Sequence, residues 1–129
     1  MNISQAATES LLPAKTIRYY EEIDLVTPAR RDNGYREFSS TDIQQLKFIQ
    51  RSRRLGFSVE ECRSLLMLYR DEHRASSDVK AIAREKIIDI NERIAELQSL
   101  SSRLQSLVEA CPGDTSAACP IIDGLAHDA

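Results

Sequence analysis

The chain has 129 residues, 42% of them hydrophobic and 29% charged, and a net charge of −3. An acidic balance argues against indiscriminate polyanion binding, and no stretch approaches the roughly 20 apolar residues of a membrane-crossing helix. The charge is uneven, however. Residues 1–74 carry 12 Lys and Arg against 11 Asp and Glu, residues 75–129 carry 5 against 9, and 15–54 holds 9 against 6. A locally basic reading surface therefore stays open, because phosphate contacts depend on local geometry.

Asn2, with Gln5 three positions on and Ile3, Ala6 and Ala7 around it, predicts a capped helix to about Ser10. After a break at Leu11–Leu12, Pro13 opens a second helix to about Glu22 or Ile23. Two short helices joined by a tight turn form a helix-turn-helix candidate. On the second, Lys15, Arg18, Tyr19 and Tyr20 cluster while Ile17 turns inward. Asn33-Gly34 is a hairpin turn signal, so residues 28–36 read as a β-wing with Arg30, Arg31, Tyr35 and Arg36 near its tip. A recognition helix followed by a wing, both bearing Arg and Tyr, suits a groove contact flanked by phosphate contacts. The bland alternative is a solvated basic surface.

Ser40-Thr41-Asp42 begins a third helix with Ile43, Leu46 and Ile49 inward, and Gly56 stops it. Ser58 and Glu61 form a capping box opening a fourth, whose apolar face of Val59, Cys62, Leu65, Leu66 and Tyr69 makes Cys62 a core thiol. Lys47, Arg51, Arg53 and Arg54 read mostly as a solvated face.

Residues 77–109 contain no Gly or Pro and repeat Ile87, Ile90, Ile94, Leu97, Leu104 and Val108, with Ser101 in one slot. The alternating intervals of three and four make a coiled-coil seam. Since the chain offers no second long helix, the seam's partner is expected to be a second copy, giving a two-fold homodimer with two reading heads.

The helical pattern stops at Cys111-Pro112-Gly113-Asp114, and the chain reaches a second thiol at Cys119, just before Pro120. Pro120 suits the first position of a helix, which puts Cys119 at an N-cap, where the helix dipole favours thiolate. Cys62, Cys111, Cys119, His73 and His127 do not form the paired spacings of a tetrahedral zinc site. Two thiolates instead suit a soft monovalent ion, Cu(I) above all. A disulfide or inert thiols are the alternatives. Nothing in residues 1–12 resembles a signal peptide, so a cytoplasmic protein is expected, where paired cysteines more often bind metal or sense redox state.

In this order the motifs resemble the MerR family of transcription regulators, and within it the CueR-type copper-efflux regulator branch. The resemblance covers roughly residues 1–125. Its motifs are Met1-Asn-Ile-Ser4, Lys15-Thr-Ile-Arg-Tyr-Tyr-Glu-Glu22, Leu25-Val-Thr-Pro28, Asn33-Gly-Tyr-Arg36, Leu55-Gly-Phe57, Asp78-Val-Lys80 and the CPGD and CPII sequences around Cys111 and Cys119. It implies DNA contacts by Arg18 and Tyr20 of the recognition helix and by Tyr35 and Arg36 of the wing, together with Lys15 and Arg31. It implies metal binding by Cys111 and Cys119. It also implies that Ser76 occupies the position where divalent-metal members place a third cysteine from the partner, which favours Cu(I), Ag(I) or Au(I).

The expected fold is mainly α, with a winged helix-turn-helix DNA-binding head in 1–70. A linker and long antiparallel coiled-coil dimerisation helix follow in 71–110, then a metal-binding loop and short terminal helix in 111–129. The expected function is a metal-responsive activator, not an enzyme, that distorts double-stranded promoter DNA for RNA polymerase, with no membrane partner. A thiol redox-sensing regulator and a metal-buffering protein are the rivals. Two departures from the family pattern stand out: Leu11 and Asp24 occupy positions usually held by Gly.

Overall fold

A computed structural model describes residues 1–127. The chain is mainly helical, in the order α1 (Ile3–Ser10), α2 (Ala14–Glu22), β1 (Ala29–Arg30), β2 (Arg36–Glu37), α3 (Ser40–Arg54), α4 (Val59–Arg70), α5 (Ser76–Ala110) and α6 (Pro120–Ala126). It divides into a compact unit from Met1 to Ala83 and a second from Arg84 onwards.

Three helices of the first unit begin with reciprocal caps. Asn2 Oδ1 accepts from Gln5 N at 2.8 Å while Gln5 Oε1 accepts from Asn2 N at 2.9 Å, and Ser58 and Glu61 repeat the arrangement on α4. On α3, which begins at Ser40 as the sequence predicts, the cap is Ser39 with Asp42. Each cap satisfies backbone donors that the first helical turn leaves unpaired.

These helices bury one face each. Ala6, Leu12, Ile17, Tyr20, Leu25, Val26, Phe38, Ile43, Leu46, Ile49 and Leu66 form one core, and Phe57, Cys62 and Leu65 a second cluster against Phe48 and Ile82. Cys62 is a core thiol, fully enclosed. The Phe48 and Tyr69 rings pack with centroids 4.6 Å apart. Two arginines of α4 grip the turn that follows α2: Arg63 donates to Ile23 O at 2.8 Å, and Arg70 to Leu25 O at 3.3 Å and Gln45 Oε1 at 2.7 Å. Between those carbonyls Asp24 has φ 58°, and Leu11, in the turn between α1 and α2, has φ 61°. Both non-glycine residues thus sit in the left-handed region that costs an L side chain energy. They are the two positions at which the resemblance noted above leads one to expect Gly.

The wing is a two-stranded antiparallel ribbon pairing Ala29 with Glu37 and Arg30 with Arg36. Its tip closes through Gly34 N to Arg31 O and Arg31 N to Tyr35 O, each 2.8 Å, with Gly34 at φ 82°. That left-handed residue after a tight turn is what a glycine supplies without strain.

In the second unit α5 shows one apolar stripe to solvent: Ile87, Ile90, Ile94, Leu97, Leu104 and Val108 are between 38% and 64% exposed. After Ala110 the chain turns through 111–119 into α6. A Cβ added at Gly124 of that helix would meet both Leu107 methyls at 3.1 Å, so the glycine permits close packing on α5. No helix among the described residues is long and apolar enough to cross a membrane.

Candidate nucleic-acid interface and metal centre

A cleft of about 360 Å³ opens between the N-terminus of α1, the recognition helix α2 and the wing, lined by Asn2, Ile3, Arg18, Arg31, Asn33, Tyr35 and Arg36. Four residues expected at the DNA face, Arg18, Arg31, Tyr35 and Arg36, thus share one concave surface. Lys15 is exposed on α2, and Tyr35 is 72% exposed at the wing tip.

Tyr20 does not belong to this surface. It is 4% exposed in the core, and burial raises its hydroxyl pKa above the usual value, although the neighbouring Arg53 guanidinium pulls the other way. The Tyr20 ring packs in the core, and Tyr19, 49% exposed, is the more accessible tyrosine of α2. The physical reason is helical phase. Ile17 and Tyr20 are three residues apart and share the buried face, a spacing legible in the sequence.

The wing arginines are held by carboxylates. Glu21 on α2 accepts from Arg30 through one oxygen at 2.5 Å and from Arg36 through the other at 3.1 Å. Arg31 pairs with Glu37, whose carboxyl is thereby held below the usual range, with a smaller contribution from the Met1 ammonium. Glu21 was not among the candidate residues from sequence. It contacts strands 9 and 15 residues away, and no local pattern announces that reach.

Cys111 follows α5, and Cys119 is the N-cap of α6 with Pro120 at its first turn. Their thiols face each other, the Cys111 Sγ donating to Cys119 Sγ over 4.0 Å, about twice a disulfide bond length. Both are free and partly buried. The Cys119 pKa lies below the ordinary thiol value, chiefly because the Ile122 backbone N–H at the start of α6 favours a charged sulfur. Ile121 N–H and the Cys111 thiol add to that, while burial and, to a smaller extent, Asp123 oppose it. Asp114 tightens the loop by accepting from Ser116 N at 2.8 Å. Such a donor set, one stabilised thiolate beside a second thiol, fits a soft metal ion. Among the described residues no three His, Cys, Asp or Glu side chains converge. Ser76, the residue at the position of interest for metal choice, is exposed at the start of α5. His73 is likewise exposed, as is His127.

The chain matches two family models in tandem: "MerR HTH family regulatory protein" over residues 1–68 and "MerR, DNA binding" over residues 43–107. It is 53% identical over 129 residues to the HTH-type transcriptional regulator HmrR of Rhizobium leguminosarum bv. viciae, with 100% of both chains covered. It is 47% identical over 126 residues to the HTH-type transcriptional regulator CueR of Salmonella typhimurium, covering 97% of this chain and 91% of that one. Among solved structures it resembles the transcription regulator PbrR691 of Ralstonia metallidurans CH34 in complex with lead(II). That likeness has a TM-score of 0.79 and 28% identity, over 97% of this chain and 98% of the other. A helix-turn-helix with its wing, a long helix following it in the chain and relatives matched end to end leave one assignment: the chain belongs to the MerR family of DNA-binding transcription regulators.

Proposed function

We propose that this chain is a homodimeric, metal-responsive transcription activator sensing Cu(I), with Ag(I) and Au(I) as chemical alternatives, through Cys111 and Cys119. The observation that carries the reading is the facing thiol pair 4.0 Å apart, one thiol held toward thiolate by backbone N–H groups of α6. A bound soft cation would supply positive charge to that pair. With two thiolates and no third convergent ligand among the described residues, a monovalent ion is favoured over a divalent one, which seeks more ligands. The partner's Ser76 offers a hydroxyl where a third soft ligand would otherwise stand. The lead(II)-bound neighbour supports metal response in general, and this donor set narrows it.

In this reading residues 1–70 bind double-stranded promoter DNA, 71–110 link and dimerise, and 111–129 sense metal; the last two residues lie outside the described ones. Arg18 and Tyr35 probe the groove and Lys15, Arg31 and Arg36 meet phosphates, with the Tyr20 hydroxyl and the exposed Tyr19 beside them on α2. The exposed apolar stripe of α5 pairs with the same stripe of a second copy. Two protein states then differ in DNA shape, and loop occupancy shifts the balance between them. Distortion aligns promoter elements for RNA polymerase, which places the protein with its DNA in the cytoplasm. The facing thiols also support a redox-sensing reading.

Titration of the reduced protein with Cu(I) and Zn(II) against competing chelators tests the assignment. Cu(I) is expected to bind far more tightly than Zn(II), and Cys111→Ser or Cys119→Ser to abolish that preference. Equal affinities, or Cu(I) binding that survives both substitutions, would overturn it. A response to oxidant that persists without metal would favour the redox reading.

A further inference from the structure

We infer that Glu21 is a positioning residue that sets DNA sequence specificity by locking the wing onto the recognition helix. The inference rests on the reading that the cleft between α2 and the wing faces DNA.

Arg30 and Arg36 lie directly opposite one another in the β1–β2 ribbon. Like charges in that register repel and destabilise a ribbon of only two residues per strand. Glu21, at the C-terminal end of α2, resolves the conflict by meeting Arg30 with one carboxylate oxygen and Arg36 with the other. Its side chain is 18% exposed, against 49% for Arg30 and 23% for Arg36, so the pair with Arg36 is the more shielded of the two. Arg30 extends the lock to the tip by donating to Gly34 O at 3.2 Å. One carboxylate therefore ties the recognition helix, both strands and the turn together.

A carboxylate beside a phosphate-binding cleft should by simple Coulomb reasoning weaken DNA binding. Its presence there makes sense as geometry. With the wing fixed, Arg18 on α2 and Tyr35 on the wing address the duplex at one spacing, which favours a matching site over random sequence. With the wing loose, the same positive charges still attract phosphates but no longer in register.

The test compares wild type, Glu21→Gln and Glu21→Asp dimers on the protein's own operator and on random duplex at one salt concentration. Glu21→Gln is expected to lose about tenfold in operator affinity while random-duplex affinity holds or rises. Glu21→Asp keeps the charge but is too short to reach both arginines, so it should lose operator affinity by a similar factor with random-duplex affinity unchanged. Thermal unfolding confirms that both variants are folded at the assay temperature. A double-variant cycle with Arg30→Gln should show the effect of Glu21→Gln shrinking when Arg30 is absent. Parallel gains on both duplexes in Glu21→Gln, with Glu21→Asp like wild type, would reduce Glu21 to a repelling charge and overturn the inference. An unchanged specificity ratio in both variants would do the same. If wild type itself failed to prefer any operator, the DNA reading of the cleft would fall instead.

Discussion

Leu11→Gly should stabilise the protein although it removes a large apolar side chain. Leu11 has φ 61° and ψ 26° and ends α1 in the left-handed region. That conformation costs a residue with a Cβ about 1–2 kcal/mol, and glycine adopts it without penalty. The Leu11 side chain is 73% exposed, so its removal forfeits little burial. Against the gain stands the larger unfolded-state freedom of glycine, about 0.4–1 kcal/mol. The difference leaves a net stabilisation of about 0.5–1 kcal/mol, or a rise in Tm of about 2–4 °C for a chain near this size. Thermal unfolding at fixed protein concentration measures it, because dimer stability varies with concentration. Leu11→Ala serves as the control: it retains the Cβ and the strain and should change Tm little. If Ala stabilises as much as Gly, the gain comes from losing an exposed leucine, and the strain explanation fails.

Ile94→Asp combined with Leu97→Asp places two charges in the exposed stripe of α5. The double variant should lose dimerisation by several kcal/mol, read by sedimentation; a persistent dimer would mean that the seam lies elsewhere. Ser76→Cys should raise affinity for Zn(II) or Hg(II) relative to wild type, measured by chelator competition, since it adds a third soft ligand from the partner. Unchanged divalent binding would remove Ser76 from the site. The lowered pKa of Cys119 has a definite sign. Its contribution to stability is present above the ordinary thiol pKa and is lost as pH falls through the lower folded value. Alkylation of Cys119 in reduced, metal-free protein should therefore persist to lower pH than in the urea-unfolded chain. Coincident profiles would contradict the N-cap account.

Features encoded over a few residues were legible in the sequence. The capping pairs at Asn2 and Ser58, the period of α5 and the turn-bounded thiol loop all depend on neighbours within one or two turns. The start of α3 at Ser40 was legible as well, with Ser39 and Asp42 completing its cap. Tyr20 was grouped with the surface residues Arg18 and Tyr19, while its phase with Ile17 places its ring in the core. Glu21 as a bidentate lock was not legible at all. Its partners are chosen by how the wing folds back on α2, a register that local pattern does not contain. The strained Leu11 and Asp24 could be named only as departures from a usual glycine; their positive φ angles supply the physical meaning.

The central claim is that metal acts on DNA shape through a dimer that remains bound. The most direct measurement is paired: gel-shift affinity for the operator and chemical footprinting of the promoter spacer, each with and without Cu(I), on reduced wild-type protein and on Cys119→Ser. Wild type should bind the operator with similar affinity in both conditions and show new spacer reactivity only with Cu(I), while Cys119→Ser binds equally well and never distorts. Release of wild-type protein from DNA by Cu(I), with no new reactivity in the spacer, would contradict activation by distortion.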